Sequence, residues 1–122
     1  MKIGRKRFEE LVSQALDELP DDIAQALSNV YVVVEQWPSD EIIEDLELED
    51  KRELLALYEG VPLTERGTSY SALPDRITIF QGPIQALCRT ESELIFQIQS
   101  AVVHEIAHHF GIDDTRIHEL GY

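Results

Sequence analysis

Two histidines and a glutamate near the C-terminus have the spacing of a metal-binding helix. His104, Glu105 and His108 form an HExxH pattern, which Gly111 and Asp114 extend to HExxHxxGxxD. Side chains four positions apart on a helix share one face, with Cβ atoms about 5 to 6 Å apart, so both imidazoles can bind one ion. Glu105 lies about 100° further around the helix. That position suits a general base acting on metal-activated water rather than a ligand.

A third ligand is expected just after this helix. Gly111 can adopt a positive φ and end the helix in a left-handed cap, so that the chain turns back. Asp114 is the preferred ligand because it lies six residues after His108. Asp113 is the alternative, and it also fits the N-cap of a short helix over 113–120. Two imidazoles and one carboxylate leave one position of a tetrahedral zinc for water, whose pKa there falls to about 7. The pattern therefore predicts a catalytic rather than a structural metal site.

This segment resembles the zincin metallopeptidases, and its final aspartate is similar to the third ligand of the Asp-zincins. The short chain, together with the segment YEGVPLTERG at 58–67, resembles a small bacterial family of minimal zincins. The resemblance implies a zinc-dependent peptidase with one Zn²⁺ held by His104, His108 and Asp114, and with Glu105 as catalytic base. The sequence departs from the larger metzincins in one respect: its only methionine is the first residue, so it has no methionine turn.

The helix that carries the motif is predicted to be long and central. Thr90 and Glu93 fit a capping box at its start, and it should continue to Phe110. Its apolar residues cover most of the circumference at 100° steps, so the helix should be buried nearly all round. The exception is a polar strip that consists of Gln97, Ser100, His104 and His108. A buried helix with both histidines in one polar strip is typical of the floor of a metal site.

The remaining patterns predict an α+β, zincin-like fold. Helical spacing of apolar residues from Phe8 to Leu19, followed by Pro20, predicts a helix, and a short second helix is expected over 21–27. Strands are predicted at 30–35 and 76–80, while 54–59 is ambiguous by pattern and the resemblance favours a strand. A short helical segment should start at Gly82. The predicted architecture is an N-terminal helical pair and a small mixed sheet packed on the central metal-binding helix.

Composition limits the classes of function. The chain has 122 residues, which predicts a single domain over 1–122, and it has no apolar run of signal-peptide or membrane-spanning length. The formal net charge of −14 disfavours binding to nucleic acids and to anionic membranes. Acidic residues concentrated in 39–51 are interpreted as a solvated face or flexible loop rather than a calcium loop. The lone Cys88 is interpreted as a small buried residue. The protein is expected to be cytoplasmic. Its expected substrate is a peptide or a protein.

Two alternative functions stay open at this point. One is a non-catalytic zincin-like module that binds a metal or a peptide, although a structural site would not need Glu105. The other is a metal-dependent endoribonuclease, whose family has the same ligand spacing. Glu105 directly after the first ligand, aspartate as the third ligand and the acidic charge argue against the ribonuclease. The ligand set would also accept cobalt, nickel or ferrous iron.

Other polar residues are assigned less definite roles. His109 and His118 are interpreted as residues that support the ligands or lie at the surface. A donor that stabilises the developing oxyanion is expected in a peptidase. The candidates for it are Tyr58, Arg66, Tyr70 and Tyr122.

Overall fold

The structure is a computed structural model that describes residues 1–60 and 75–122. Within these residues the order of elements is α1 (Arg5–Asp17), α2 (Asp21–Ala26), β1 (Val30–Glu35), α3 (Asp40–Asp45), a 3-10 turn (Lys51–Glu53), β2 (Ala56–Glu59), β3 (Asp75–Phe80), α4 (Gln81–Ala86), α5 (Glu91–Phe110) and α6 (Asp114–Glu119). The α+β class is confirmed. The predicted strand at 54–59 is shorter than expected, because its first residues follow the 3-10 turn.

The sheet is small and mixed, as predicted. The strand order is β1-β3-β2, with β1 parallel and β2 antiparallel to the central β3. Ile77 lies opposite both Val32 of β1 and Tyr58 of β2. Ile77 and Ile79 are fully buried, so one face of β3 forms part of the core. Strands β1 and β3 therefore run in the same direction, and β2 runs in the opposite direction.

Helices α1 and α5 pack together beneath the sheet. The buried residues of α1 are Phe8, Leu11, Val12 and Ala15, which follow the predicted helical spacing. Those of α5 are Leu94, Ile98, Gln99, Ala101, Val102, Val103, Ile106 and Ala107. Apolar residues of both sets share one core cluster with Ile77 and Ile79 of β3. The long helix is therefore central, as its composition predicts.

Two details of α5 differ from the prediction. Phe96 and Phe110 are 46% and 51% exposed, so the helix is not apolar and buried all round. Gln99 is buried, and both ends of its side-chain amide are hydrogen-bonded. Its Nε2 donates to the carbonyl of Ala15 at 3.1 Å, and its Oε1 accepts from the Tyr122 hydroxyl at 3.2 Å. Burial of an amide whose two ends are both hydrogen-bonded lowers the stability of the fold only slightly.

The acidic segment contains a helix that was not predicted. Ser39 caps α3, with its hydroxyl accepting from the amide of Ile42 at 3.2 Å, and Asp40 and Glu41 occupy the first turn, where carboxylates favour the helix dipole. The acidic side chains of α3 are exposed, as a solvated face requires. Of the two interpretations of the acidic segment, the solvated face holds for α3 and the flexible loop does not.

No helix in the described residues is both long enough and apolar enough to cross a membrane. Cys88 is buried, as predicted. Burial raises the pKa of its thiol above the ordinary value, with the Glu93 carboxylate adding to the effect.

Candidate metal centre

Helix α5 begins where the capping pattern predicts. The hydroxyl of Thr90 accepts from the amide of Glu93 at 3.1 Å. The Glu93 carboxylate accepts in turn from the amide of Arg89 at 2.7 Å, one residue before the position that a regular capping box uses. Both carboxylates of the first turn, Glu91 and Glu93, favour the positive end of the helix dipole.

The two motif histidines stand on the exposed side of α5. His104 and His108 lie one turn apart and are both exposed, whereas Val103 and Ile106 on the opposite side of the same turns are fully buried. The predicted polar strip is confirmed, since Gln97 and Ser100 on it are also partly exposed. Burial of the opposite face fixes the helix in the core, so the imidazoles project from a rigid support.

Glu105 is partly buried and faces β2. One of its carboxylate oxygens, Oε2, accepts from the backbone amide of Tyr58 at 3.4 Å, which is a long contact. Burial raises the pKa of Glu105 above the ordinary value, while the Tyr58 amide and the nearby His108 and His104 lower it to a smaller extent. A carboxylate with a raised pKa holds a proton more strongly, which suits a general base working near neutral pH.

The backbone of β2 explains why Tyr58 meets Glu105. The amide of Phe80 donates to the carbonyl of Leu55 at 2.9 Å, and Leu57 lies opposite Thr78. In an antiparallel pair the hydrogen-bonded residues alternate along the strand, so Ala56 and Tyr58 direct their amides and carbonyls away from β3. Within the described residues β2 is an edge strand, and this outer edge is directed toward the motif helix.

An aromatic cluster fixes the end of α5 against β2. The rings of Tyr58 and His109 are 4.0 Å apart at their centroids and inclined by 31°, and Phe110 meets each of them edge-on. The Tyr58 hydroxyl donates to the Asp75 carboxylate at 2.6 Å. His109 is exposed, as the surface position expected for it requires, and its ring packs on Tyr58 of β2.

The chain after α5 turns as predicted. Gly111 has φ +69° and ψ +30°, a left-handed cap, and the amide of Ile112 donates to the Ala107 carbonyl at 3.0 Å. Asp113 caps α6, with Oδ1 accepting from the amide of Thr115 at 2.9 Å. The N-cap role of Asp113 is confirmed. Asp114 begins α6 and is exposed.

Helix α6 is fixed to the body by one apolar and one charged contact. Ile117 is 3% exposed and belongs to the core cluster. Arg116 forms an ion pair with Asp22 of α2 at 2.9 Å, an exposed pair whose attraction is weakened by solvent screening. These contacts set the position from which Asp114 would reach a metal. His118 lies exposed on the same helix.

The structure brings together only part of the predicted ligand set. His104, His108 and Glu105 share one region of α5, but across 1–60 and 75–122 no three His, Cys, Asp or Glu side chains are close enough to hold one ion. Asp114 as third ligand therefore stays a prediction. The donor types fit zinc, since imidazole nitrogens and aspartate oxygens are among the ligands that zinc takes.

Two of the four candidate oxyanion donors can be placed. The hydroxyls of Tyr58 and Tyr122 donate to Asp75 and to Gln99. Arg66 and Tyr70 lie outside the described residues, as does most of the segment 58–67.

Comparisons with known proteins concern the fold and the family of the chain. A conserved hypothetical protein from Thermo thermophilus has a similar structure, with a TM-score of 0.53 and 21% identity over 88% of this chain and 94% of that chain. This likeness supports the fold alone. The search of curated proteins gave no match. The model of the zincin-like metallopeptidase family matches residues 27–122, which include the motif helix and the whole sheet. The chain therefore belongs to the zincin-like metallopeptidase family.

Proposed function

We propose that the protein is a zinc-dependent peptidase in which His104, His108 and Asp114 hold one zinc ion and Glu105 is the general base. The observation that carries the proposal is the position of Glu105. Its partly buried carboxylate lies beside two exposed imidazoles and next to the outer edge of β2. Hydrolysis of a peptide by this mechanism uses a metal ion that activates water, a general base that accepts the proton, and a surface that holds the peptide, for which a strand edge is suited.

Zinc held at such a site supplies a Lewis acid that acidifies water and polarises a carbonyl group. Glu105 accepts the proton of the attacking water and transfers it to the amine that leaves. The environment of Glu105 suits both steps, because burial raises the affinity of its carboxylate for a proton.

The outer edge of β2 offers a way to hold the substrate. Ala56 and Tyr58 direct backbone donors and acceptors away from β3, but they are only 3% and 9% exposed, so an extended peptide would pair there as an added strand by displacing the contact of β2 with α5. The contact between the Tyr58 amide and Glu105 is long, and a peptide carbonyl can replace it. Pairing would then place the peptide beside Glu105.

The charge of the protein restricts the substrate. A formal net charge of −14 repels polyanions, so we infer a peptide or protein substrate and no nucleic-acid or anionic membrane partner.

The test is hydrolysis of a peptide library by the zinc-loaded protein and by Glu105→Gln. Loss of the general base should lower kcat by about 10² to 10⁴-fold while stoichiometric zinc is retained. Glu44→Gln is the matched control, because Glu44 is an exposed carboxylate on α3, and it should be as active as the wild type. Undiminished hydrolysis by Glu105→Gln contradicts the mechanism.

The third ligand is tested by a pair of neighbouring substitutions. Asp114→Ala should weaken zinc binding, whereas Asp113→Ala should lower stability by about 1 kcal/mol through loss of the α6 cap and leave zinc affinity largely intact. Zinc affinity is measured by competition with a chelating dye and stability by urea unfolding. The reverse pattern would make Asp113 the ligand.

One observation favours the non-catalytic alternative, a zincin-like module that binds metal or peptide. Within the described residues Asp114 does not join the histidines in a three-ligand group. Stoichiometric zinc in the wild type, with no cleavage of any library peptide, would support this alternative and refute the peptidase.

A further inference from the structure

Strand β1 has an outer edge with which no strand of the described residues pairs. The order β1-β3-β2 leaves β1 at one side of the sheet. Five of its six residues are valine or tyrosine, and none is a lysine or proline of the kind that protects a strand edge from further pairing. A groove of about 470 Å³ runs along this edge, between β1 and α1. The edge therefore has the composition and the space to accept another strand.

Two contacts identify the backbone groups that lie on this edge. The Arg5 guanidinium donates to the carbonyl of Val34, and the amide of Val30 donates to the carbonyl of Leu27. Neither partner belongs to β3, and in a parallel pair the amide and carbonyl of one residue point to the same side. Val30, Val32 and Val34 therefore direct their backbone groups outward. In the described part of the chain, this leaves four groups unpaired: the carbonyl of Val30, the amide and carbonyl of Val32, and the amide of Val34.

These four groups are complementary to the same four groups of a second copy. If two β1 strands pair antiparallel about a twofold axis at Val32, each Val30 lies opposite Val34 of the other copy. The two Val32 residues then exchange two hydrogen bonds, and each Val34 amide donates to a Val30 carbonyl. The pattern leaves out only the Val30 amide and the Val34 carbonyl, which already have partners within their own chain. A second copy of this chain thus satisfies all four groups.

The same register covers side chains that are exposed in a single copy. Tyr31 is 59% exposed, and it would lie opposite Val33 of the second copy at a position without backbone hydrogen bonds, where side chains approach most closely. Pairs of an aromatic and a β-branched residue stabilise antiparallel strands at such positions. Val32 is partly exposed on the other face, and it would extend into the groove of the second copy.

Helix α1 carries charges that suit an antiparallel neighbour. Residues 5–7 are basic and residues 17–18 are acidic, so each end bears the charge that the helix dipole disfavours. Arg5 lies at Val34, near the end of β1, and the groove continues along both elements to Leu16 and Tyr31, so α1 runs antiparallel to β1. The twofold axis would place the two α1 helices side by side in opposite directions. The basic end of each would then face the acidic end of the other, which is complementary in charge.

We propose that the protein forms a twofold dimer in which two β1 strands pair antiparallel and join the two three-stranded sheets into one. The interface lies across the sheet from β2, whose outer edge faces the motif helix, so both candidate metal centres remain accessible. The net charge of −14 on each copy opposes association, but this repulsion is screened beyond about 8 Å at physiological salt. The dimer does not depend on the proposed peptidase activity.

The test is sedimentation equilibrium of the metal-free protein at physiological salt, from micromolar to millimolar concentration. We expect the mass to rise from 13.9 kDa toward twice that value. Amide hydrogen exchange should become slower at Val32 and Val34 as the dimer forms. The amide of Val33 is the internal control, because it is directed toward β3 and should exchange slowly at every concentration.

Two pairs of variants locate the interface. Val32→Pro removes the central donor at an edge position where proline is tolerated, and loss of its two symmetric bonds should raise the Kd about 5- to 150-fold. Val32→Thr keeps the amide and should dimerise almost as tightly as the wild type. Tyr31→Lys removes two cross-strand pairs and should raise the Kd about 2- to 30-fold, although it lowers the net negative charge. Tyr31→Phe is its matched control and should dimerise like the wild type.

Far-UV circular dichroism checks that each variant folds, and Tyr31→Lys decides the matter if Val32→Pro does not, because Tyr31 is an exposed residue. A protein that stays monomeric at millimolar concentration overturns the proposal. A dimer in which the Val32 amide exchanges as fast as in the monomer, or an unchanged Kd in either folded variant, overturns it as well.

Discussion

Replacing Gly82 by alanine should destabilise the protein, although alanine is the better helix former. Gly82 lies in α4, where the exchange alone would stabilise by about 0.5 to 1 kcal/mol. A Cβ at this position would lie 2.4 and 2.6 Å from Cε2 and Cζ2 of Trp37 and 2.7 Å from the carbonyl oxygen of Gln36. The Trp37 ring is 38% exposed and can move, but the Gln36 carbonyl cannot, because the Gly82 amide donates to it at 2.8 Å.

Overpacking of this kind costs about 1 to 3 kcal/mol. After the gain in helix propensity is subtracted, the middle of the two ranges predicts that Gly82→Ala lowers the free energy of unfolding by about 1.2 kcal/mol, and by about 2.5 kcal/mol at most. For a chain of 122 residues the unfolding entropy is about 0.26 kcal/mol/K, so the Tm should fall by about 5 °C, and by about 10 °C at most. The assay is thermal unfolding followed by circular dichroism, with urea unfolding as the second measurement.

Gly60→Ala is the matched control for this experiment. A Cβ at Gly60 would meet His109 and Asp75 at 3.6 and 3.7 Å, which are ordinary contacts, so the Tm should change by less than about 2 °C. A Gly82→Ala protein as stable as the wild type would refute the close approach of the loop after β1 to the start of α4.

Substitutions at three positions test the support of the motif helix, and one reactivity measurement tests the burial of Cys88. Gly111→Ala should cost about 1 to 2 kcal/mol in urea unfolding, because alanine is strained at φ +69°, and Gly111→Asn should lose less. Ile106→Ala should cost about 2 to 5 kcal/mol and Ile106→Val about 0.5 to 1.5, since Ile106 is fully buried under the motif; equal costs in urea would contradict this packing. Thr90→Ala should lose about 1 kcal/mol and Thr90→Ser should restore most of it, as measured by the Tm. Native Cys88 should react slowly with a thiol reagent, and faster as pH rises toward its raised pKa; rates equal to those in urea would contradict its burial.

The parts of the fold that were predictable are those with a periodic apolar pattern and a strong terminal signal. Helix α1 follows the spacing from Phe8 to Ala15, and α5 begins at the Thr90 cap and ends at Gly111. The six-residue strands β1 and β3 are rich in β-branched residues. In these segments local propensity and tertiary packing favour the same structure.

The parts that were missed depend on weak local signals or on distant contacts. The Ser39 cap of α3 lies at the start of an acidic segment, and α3 has no buried residue, so its sequence lacks the periodic apolar face that indicates a helix. Strand β2 was expected from the resemblance alone, because its four residues are too few to show a periodic pattern. The order β1-β3-β2 depends on which strands meet in the folded chain, and no local pattern specifies it.

The candidate site divides in the same way. The i, i+4 placement of His104 and His108 follows from helix geometry alone and could be predicted. The contact between the Tyr58 amide and Glu105 joins residues 47 apart, and the stacking of Tyr58 on His109 spans a similar separation. Such contacts arise only once β2 packs on α5.

The most direct test of the account is calorimetric titration of zinc into metal-stripped protein. The wild type and His118→Ala, which removes an exposed imidazole on α6, should each bind one zinc ion with the same affinity. His104→Ala should lose this binding while keeping the far-UV circular dichroism spectrum of the wild type. Unchanged one-to-one zinc binding by folded His104→Ala would contradict the assignment of the HExxH helix as the metal centre.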